Sequence, residues 1–592
     1  MMAHDAIMEE ERGHLAGFGE PVDTPAHPSA PLRSPDITNR TERLGAMHGT
    51  RLSFVRSLVR RMAHDNWRVR VTHMDLDDTG YGLCIYTIEA YGERYSQVIF
   101  SQHLDDAERT DRVIAQKWDV TSALISGVPN AADIEYLRGN VPLQEAGRLR
   151  ANDLVLCRAN KSVRNFSYVA ECLAAGRQPD PAMFERVGYL IRTTAVYGNG
   201  KFGIADYPRL VDSQAFNRGF SAQMCAVFVL RDFSVRLVEH VAARRNPRAA
   251  VKLAHSFRRY LGVGNATGLG MAPFLVRHPI QVDQWIRARE TALARVLGVE
   301  SVEPAAFGRC MGLIARAARH VSQVHTDHPP EAARNALILA ELPRLERELQ
   351  IRYERKDTFR WNELFSWAAQ ALSCATQEVL VTVLLELYPT LVDSIECAAP
   401  VDDVLTLNPD MSVGEFLQLV EQDYRWVFEQ PGVQRDDDHF FWYRSAEKEE
   451  PRLGVRVEER GAEREVPLDI ARQVLRLHAK LKAEAVGLRT VAEFVGESPE
   501  HRAIVRRIQA LASHAYGEIR HNLLARDMLP IDLMRAKLAM FGASKFDPKS
   551  NLWVRVTLYQ GAPTLDDLSP EMFDDWAFPC VPGGNEIGGA LT

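Results

Sequence analysis

Between residues 67 and 125 apolar and polar side chains alternate with a period of two, in runs over 67–71, 81–90, 95–103 and 118–125. Turn residues punctuate them, Asp77-Asp78-Thr79-Gly80 after the first and Gly92-Glu93 after the second. Alternation interrupted in this way predicts an antiparallel meander. Just before it the period is helical: Leu52, Val55, Leu58 and Val59 share one face and Arg56, Arg60 and Arg61 the other, the pattern of a helix lying over a sheet with a basic outer side.

From about 152 to 392 the spacing is mostly helical, as over 183–191, 222–244, 248–260, 282–297 and 307–324. Strand signals return over 440–445, 455–459, 464–467 and 553–559, with helical stretches over 469–485 and 500–526 among them. The expected fold is mixed α+β, with a predominantly helical central body, an antiparallel N-terminal meander and a smaller C-terminal α+β unit. The expected division is 1–45 as a disordered lead, 46–150 as an α+β domain, 151–400 as the helical body and 401–592 as the C-terminal region; the lead is rich in proline and acidic residues and shows no period.

Length and composition narrow the class. A chain of 592 residues, 46% hydrophobic, can bury several cores. Its 71 basic and 78 acidic residues leave a net charge of -7, which sets up no general field toward nucleic acid or an anionic membrane. The eight cysteines are scattered, without C-x-x-C spacing, as in a reduced protein. No apolar run approaches the ~20 residues of a membrane span, and the acidic N-terminus lacks a signal-like apolar core, so the sequence predicts a soluble, cytoplasmic protein. The partners expected are a small anionic metabolite and, compatibly, further copies of the chain in a homo-oligomer, with neither nucleic acid nor membrane.

Two segments dense in glycine and asparagine interrupt the helical body: 197–203, Tyr-Gly-Asn-Gly-Lys-Phe-Gly, and 262–270, Gly-Val-Gly-Asn-Ala-Thr-Gly-Leu-Gly. The first has G-x-G-x-x-G spacing after a strand-like run over 189–196. A dinucleotide fingerprint needs a helix opening at the third glycine, and Asp206 and Pro208 stop one within a turn. A kinase loop would need His-Arg-Asp and Asp-Phe-Gly motifs further on, which the chain lacks. The second segment lacks the Gly-Lys-Ser/Thr ending of a P-loop and has Ala266 where a nucleophile elbow has serine.

What remains is a pair of amide-rich loops flanked by cations, suited to a carboxylate or phosphate. The alternative for the second is a glycine-rich crossing of two helices. On the first reading Gly198, Asn199, Gly200, Gly264, Asn265 and Thr267 bind the ligand and Arg192 and Arg277 neutralise it. Lys201 and His278 are the titratable groups placed for proton transfer. The expected function is a soluble enzyme acting on a small anionic metabolite between the two loops; the motifs assign neither a reaction class nor a cofactor. Non-catalytic ligand sensing or assembly is the alternative.

Other clusters are weaker. His514, Glu518 and His521 would share a face if 500–526 were one helix, a geometry for a metal-dependent redox enzyme, but a full di-iron site needs a second such set. Arg158, Lys161 and Arg164 at helical spacing suit a solvated face, and His320, His325 and His328 suit the negative end of a helix dipole. Asp436, Asp437 and Asp438 precede an aromatic strand that suits a core. Asp75, Asp77 and Asp78 lack calcium-loop spacing and fit a solvated hairpin tip.

Overall fold

The computed structural model describes residues 30–105, 117–142, 150–193, 210, 212–268, 274–355, 358–395, 405–429, 441–445, 451–454, 465–467, 470–484, 489–519, 530–549, 553–569 and 576–583. Its centre is a nine-stranded sheet in the order β1-β2-β3-β4-β5-β6-β7-β12-β11. The strands are β1 (Arg68–Leu76), β2 (Gly82–Ala90), β3 (Glu93–Ser101), β4 (Val120–Ser126), β5 (Asp153–Lys161), β6 (Tyr189–Thr193), β7 (Gly262–Gly268), β11 (Ala543–Pro548) and β12 (Trp553–Leu558). β8 (Phe441–Ser445), β9 (Pro451–Gly454) and β10 (Glu465–Pro467) form a separate three-stranded sheet.

The alternating pattern of 67–125 becomes β1 to β4, an antiparallel meander as its turns require. At the first turn the Asp77 carboxylate accepts from the Thr79 and Tyr81 amides at 2.8 and 2.9 Å, so it closes a hairpin tip. At the second, Tyr91 and Gly92 have φ of 52° and 82°, the left-handed pair of a tight hairpin turn. The meander continues through β5 and β6. Then the direction changes: β6 and β7 run parallel, and helix α2 (Ser221–Arg245) lies between them in the chain.

α2 is buried on almost every side, which explains its lack of a polar face. Polar side chains of the sheet and its flanks pin it: Gln97 Nε2 donates to Ala226 O at 3.0 Å, Tyr86 Oη to Asp232 at 2.7 Å and Tyr559 Oη to Met224 O at 2.8 Å. Arg231 of α2 is 3% exposed and donates to the carbonyls of Leu261, Pro563, Ala562, Arg258 and Arg259 at 2.7–3.0 Å. One buried guanidinium therefore satisfies the backbone where the chain enters β7 and where it leaves β12, joining residues more than 300 positions apart. Helix α1 (Phe54–His64) packs beside α2.

A second core is mainly helical. It is built by α3 (Pro279–Leu297), α4 (Pro304–Ser322), α5 (Pro329–Arg355), the helix Trp361–Ala371 and α6 (Cys374–Leu387). α6 carries Glu378, Thr382 and Glu386 at helical spacing, all buried. These carboxylates receive the N-terminal arginines: Glu378 is bound by Arg43 at 2.7 Å and Arg33 at 3.2 Å, and by Arg289 of α3, while Glu386 takes both terminal nitrogens of Arg56 at 2.6 and 2.8 Å. Arg56 of α1 and arginines of the preceding segment thus meet an acidic stripe of the same chain. α7 (Pro530–Phe541) then leads into β11.

Several expectations need correction. The lead is ordered from Ala30: Arg33 pairs with Glu290 through two bonds of 2.7 Å, and Asn39 donates to the carbonyls of Tyr516 and Glu518 at 2.9 Å. The helix expected over 183–191 splits into Ala182–Arg186 and β6, because at Gly188 a Cβ would lie 1.9 Å from Gln560 Nε2 and the chain must pass there bare. Asn246-Pro247 ends α2, and the helix expected from 248 begins at His255. The 158–161 stretch lies on β5, as a strand and not as the opening of a helix. The 262–268 segment is a strand in the middle of the sheet and not a loop or a crossing of helices.

Candidate functional site

The sequence candidates are placed as follows. Arg192 sits on β6, in register with Gly264 of β7 on one side and Asn160 of β5 on the other. Asn265 is 2% exposed and donates to Thr193 O at 2.6 Å, clamping β7 to β6 at the level where β6 ends. Thr267 lies on β7, and Arg277 ends the short helix Phe274–Arg277. His278 is buried at the N-cap of α3. Gly198, Asn199, Gly200 and Lys201 lie outside the described residues, as does His521.

The points from which the two glycine-rich segments depart are thus brought together, on neighbouring parallel strands. The glycines of β7 themselves are explained by packing. A Cβ on Gly264 would stand 2.4 Å from the Tyr189 ring, and one on Gly262 would stand 2.2 Å from Leu558 O.

The metal reading loses its geometry. The helix stops at Leu511, so His514 and Glu518 lie beyond its end. Glu518 is 6% exposed and held by Arg507 at 2.8 and 2.9 Å and by Tyr424 Oη at 3.0 Å. Among the described residues no group of three or more His, Cys, Asp or Glu side chains is placed to hold a metal ion. No helix of the described residues is long and apolar enough to cross a membrane.

A site that sequence reasoning missed lies at the N-terminal end of α2. There a cavity of about 750 Å³ is lined by α1, the Tyr91 turn and the segment leading into α2, with Asp393 on its far wall. Arg60, Arg61 and Arg218 line it, with His64 and Asp65 at the end of α1. Gly219 and Ser221 bring the start of α2 into the wall, so the positive end of a 25-residue helix borders the same space. Phe220, between them, has φ of 62° and provides no side-chain cap; the left-handed backbone of a bulky residue is held there by aromatic packing on Phe54 at 5.3 Å and Phe541 at 4.6 Å.

The charges around this cavity are not balanced. Arg60 reaches Asp393 at 3.0 Å, and Arg51 pairs with Asp393 at 2.5 Å and lies 3.6 Å from Glu386, which also serves Arg56. Among the described residues the cavity wall itself thus carries three guanidinium groups, Arg60, Arg61 and Arg218, and the two carboxylates of Asp65 and Asp393. Burial pushes Arg60 down to about 10 despite Asp393. Arg61 is lowered by burial and then by Arg218; its guanidinium donates to Ala215 O at 2.6 Å and lies 5.6 Å over Trp67.

At the rim the groups form a chain. Tyr91 Oη donates to one oxygen of Asp65, and His64 Nδ1 lies 2.9 Å from the other. Burial works to raise Asp65, but the bonds from Tyr91 and His64 hold it below the usual carboxylate range, while burial and Asp65 raise Tyr91. Nδ1 of the exposed His64 thus faces the Asp65 carboxylate. The sequence signal for this site was the basic face of α1, legible as a feature but not as a site, because Arg218, Tyr91 and Asp393 join it only in space.

Comparison with known proteins supplies no relative: no protein-family model, curated protein or solved structure matches the chain.

Proposed function

We propose that the protein is an enzyme acting on a small anionic metabolite, a carboxylate or phosphate compound, in the cavity at the N-terminal end of α2. The observation that carries this reading is the gathering of three guanidinium groups, Arg60, Arg61 and Arg218, with His64 in the lining of one cavity that also holds the two carboxylates Asp65 and Asp393. Half-buried cations gathered in one cavity are stabilised by a bound anion, and the positive end of a long helix adds to the same field. In this reading Arg61 and Arg218 hold the anion, Arg60 and its partner Asp393 shape the wall, and His64, oriented by Asp65, transfers a proton. A volume of about 750 Å³ is that of a metabolite-sized pocket. Relative to the sequence reading the class of ligand is kept and the site moves from the glycine-rich segments to the arginine-lined cavity.

Thermal unfolding in the presence of orthophosphate, pyrophosphate or short dicarboxylates, against sodium chloride of equal ionic strength, tests this directly. At least one anion raises the Tm of the wild type in a saturable way, as ligand linkage requires. Arg218→Ala loses that response while its ligand-free Tm stays close to that of the wild type, and His64→Gln keeps it. An unchanged response in Arg218→Ala, or none in the wild type, overturns the proposal.

A further inference from the structure

The nine-stranded sheet has two edges, β1 and β11. β11 is covered: Phe546 and Asp547 are 7% and 2% exposed, and Lys545 Nζ donates to the Glu185 carbonyl. β1 is open. Of its nine residues only Leu76 is buried, and among the described residues it pairs with β2 alone. Its outer side therefore presents backbone N–H and C=O groups to solvent, a template for a further strand.

Proteins guard such edges with proline or with charges of one sign, which repel a second copy. β1 has no proline, and its charges are of both signs. Residues that face one another across an antiparallel ladder share a face, so the register with β2 sorts them. Val69, Val71 and Met74 stand opposite Ile88, Tyr86 and Cys84, on the side where Tyr86 bonds α2. Arg68, Arg70, His73 and Asp75 stand opposite Glu89, Thr87, Ile85 and Leu83, on the other side. These four polar residues are exposed, and their side chains make no hydrogen bond or ion pair among the described residues.

Thr72 is a bulge between Val71 and His73, and its hydroxyl turns back to the Ile85 carbonyl at 3.2 Å and to Thr87 Oγ1 at 3.0 Å. In an unbroken strand residues 70 and 75 point to opposite faces; the extra residue puts them on the same one. An antiparallel copy of β1 centred on His73 then sets Arg70 opposite Asp75 and Val71 opposite Met74, each at two places, with His73 opposite itself. Met74, 38% exposed, gains an apolar neighbour in that pairing. The strand is thus complementary to itself in charge and in apolar side chains.

We propose that two copies of the protein associate through this edge, β1 pairing with β1 antiparallel about a two-fold axis at His73 and joining their sheets into one. Backbone hydrogen bonds supply the attraction, and the Arg70–Asp75 pairs fix the register. The contact uses the open edge of each copy, so association closes at the dimer.

Sedimentation equilibrium of the full chain tests this. The wild type is expected at twice the chain mass of 66.6 kDa. Arg70→Asp and Asp75→Arg each set like charges opposite one another at two places and should weaken association about tenfold or more. An equimolar mixture of these two variants has opposite charges at both places again and should dimerise as the wild type does, which a folding defect in either would prevent. His73→Cys should form a covalent dimer on mild oxidation that the wild type, with its own eight cysteines, does not form. A monomeric wild type, undiminished association in Arg70→Asp, a mixture no more associated than its components, or no cross-link in His73→Cys overturns the proposal.

Discussion

Single residues in this protein are constrained mainly by how closely distant chain segments approach. Gly264 shows this best: the Tyr189 ring occupies the place of its side chain, with Cε1 2.4 Å from where a Cβ would be. Gly264→Ala is therefore expected to destabilise the fold by about 1–3 kcal/mol through overpacking, and combining it with Tyr189→Ala should recover part of that loss. Urea unfolding of the single and double variants measures the coupling; purely additive effects would show that the ring is not the obstacle. In the sequence the same glycine sits in a run that resembles a phosphate loop. Sequence spacing records that side chains are missing, but not whether the space is filled by a ligand or by a neighbouring ring.

Elements are joined by buried ion pairs, most clearly along α6. Glu378 is 0% exposed and is bound by Arg33, Arg43 and Arg289. Burial alone would raise this carboxyl, but the charges of Arg289, Arg33 and Arg43 outweigh it and hold it far below its ordinary value of 4.5. A group depressed in the folded state adds stability that is complete above its unfolded value and is lost as pH falls toward the folded one. Stability should thus decline as pH drops below about 4.5, and Glu378→Gln should flatten that decline while lowering stability at pH 7 by about 3–5 kcal/mol. Chemical denaturation of both proteins between pH 3 and 7 checks this; parallel pH profiles would assign the acid sensitivity to other groups.

The basic face of α1 was plain in the sequence. That Arg56 of α1 answers Glu386 of α6 was not, because residues 56 and 386 carry no local sign of their pairing. The helix expected over 500–526 failed for a related reason. Periodicity continued past Leu511, but the helix ends there and the chain passes Pro279 at Gly517 with no room for a side chain.

At the scale of the whole molecule the central sheet is assembled from both ends of the chain. β12 and β11 follow β7 at its edge, so strands from 543–558 complete a sheet that begins at Arg68. α2 covers β2 to β7 from within the 221–245 stretch, and Arg231 then joins both sides of the closure. A fragment ending at residue 400 lacks the partner strand of β7 and two of the carbonyls that Arg231 bonds. It is expected to show native-like helix content by circular dichroism but to lose amide-exchange protection in β7 and to be cleaved rapidly near it. Full protection of β7 in that fragment would refute the dependence of the sheet on the C-terminal strands.

The sequence by itself determined what rests on local period and turn chemistry: the meander of β1 to β4 with its two tight turns, the course of α1, α2, α3 and α4, and the mixed α+β class. These follow from side-chain alternation and from interactions within a few residues, so they are written where they act. The tertiary structure alone decided which strands β7 lies between, that its glycines admit neighbouring groups, that His514 and Glu518 leave the helix before they can share a face, and that Arg61, Arg218 and Asp393 border one cavity. Each of those depends on close packing and charge pairing between residues hundreds of positions apart, for which a linear pattern has no coordinate.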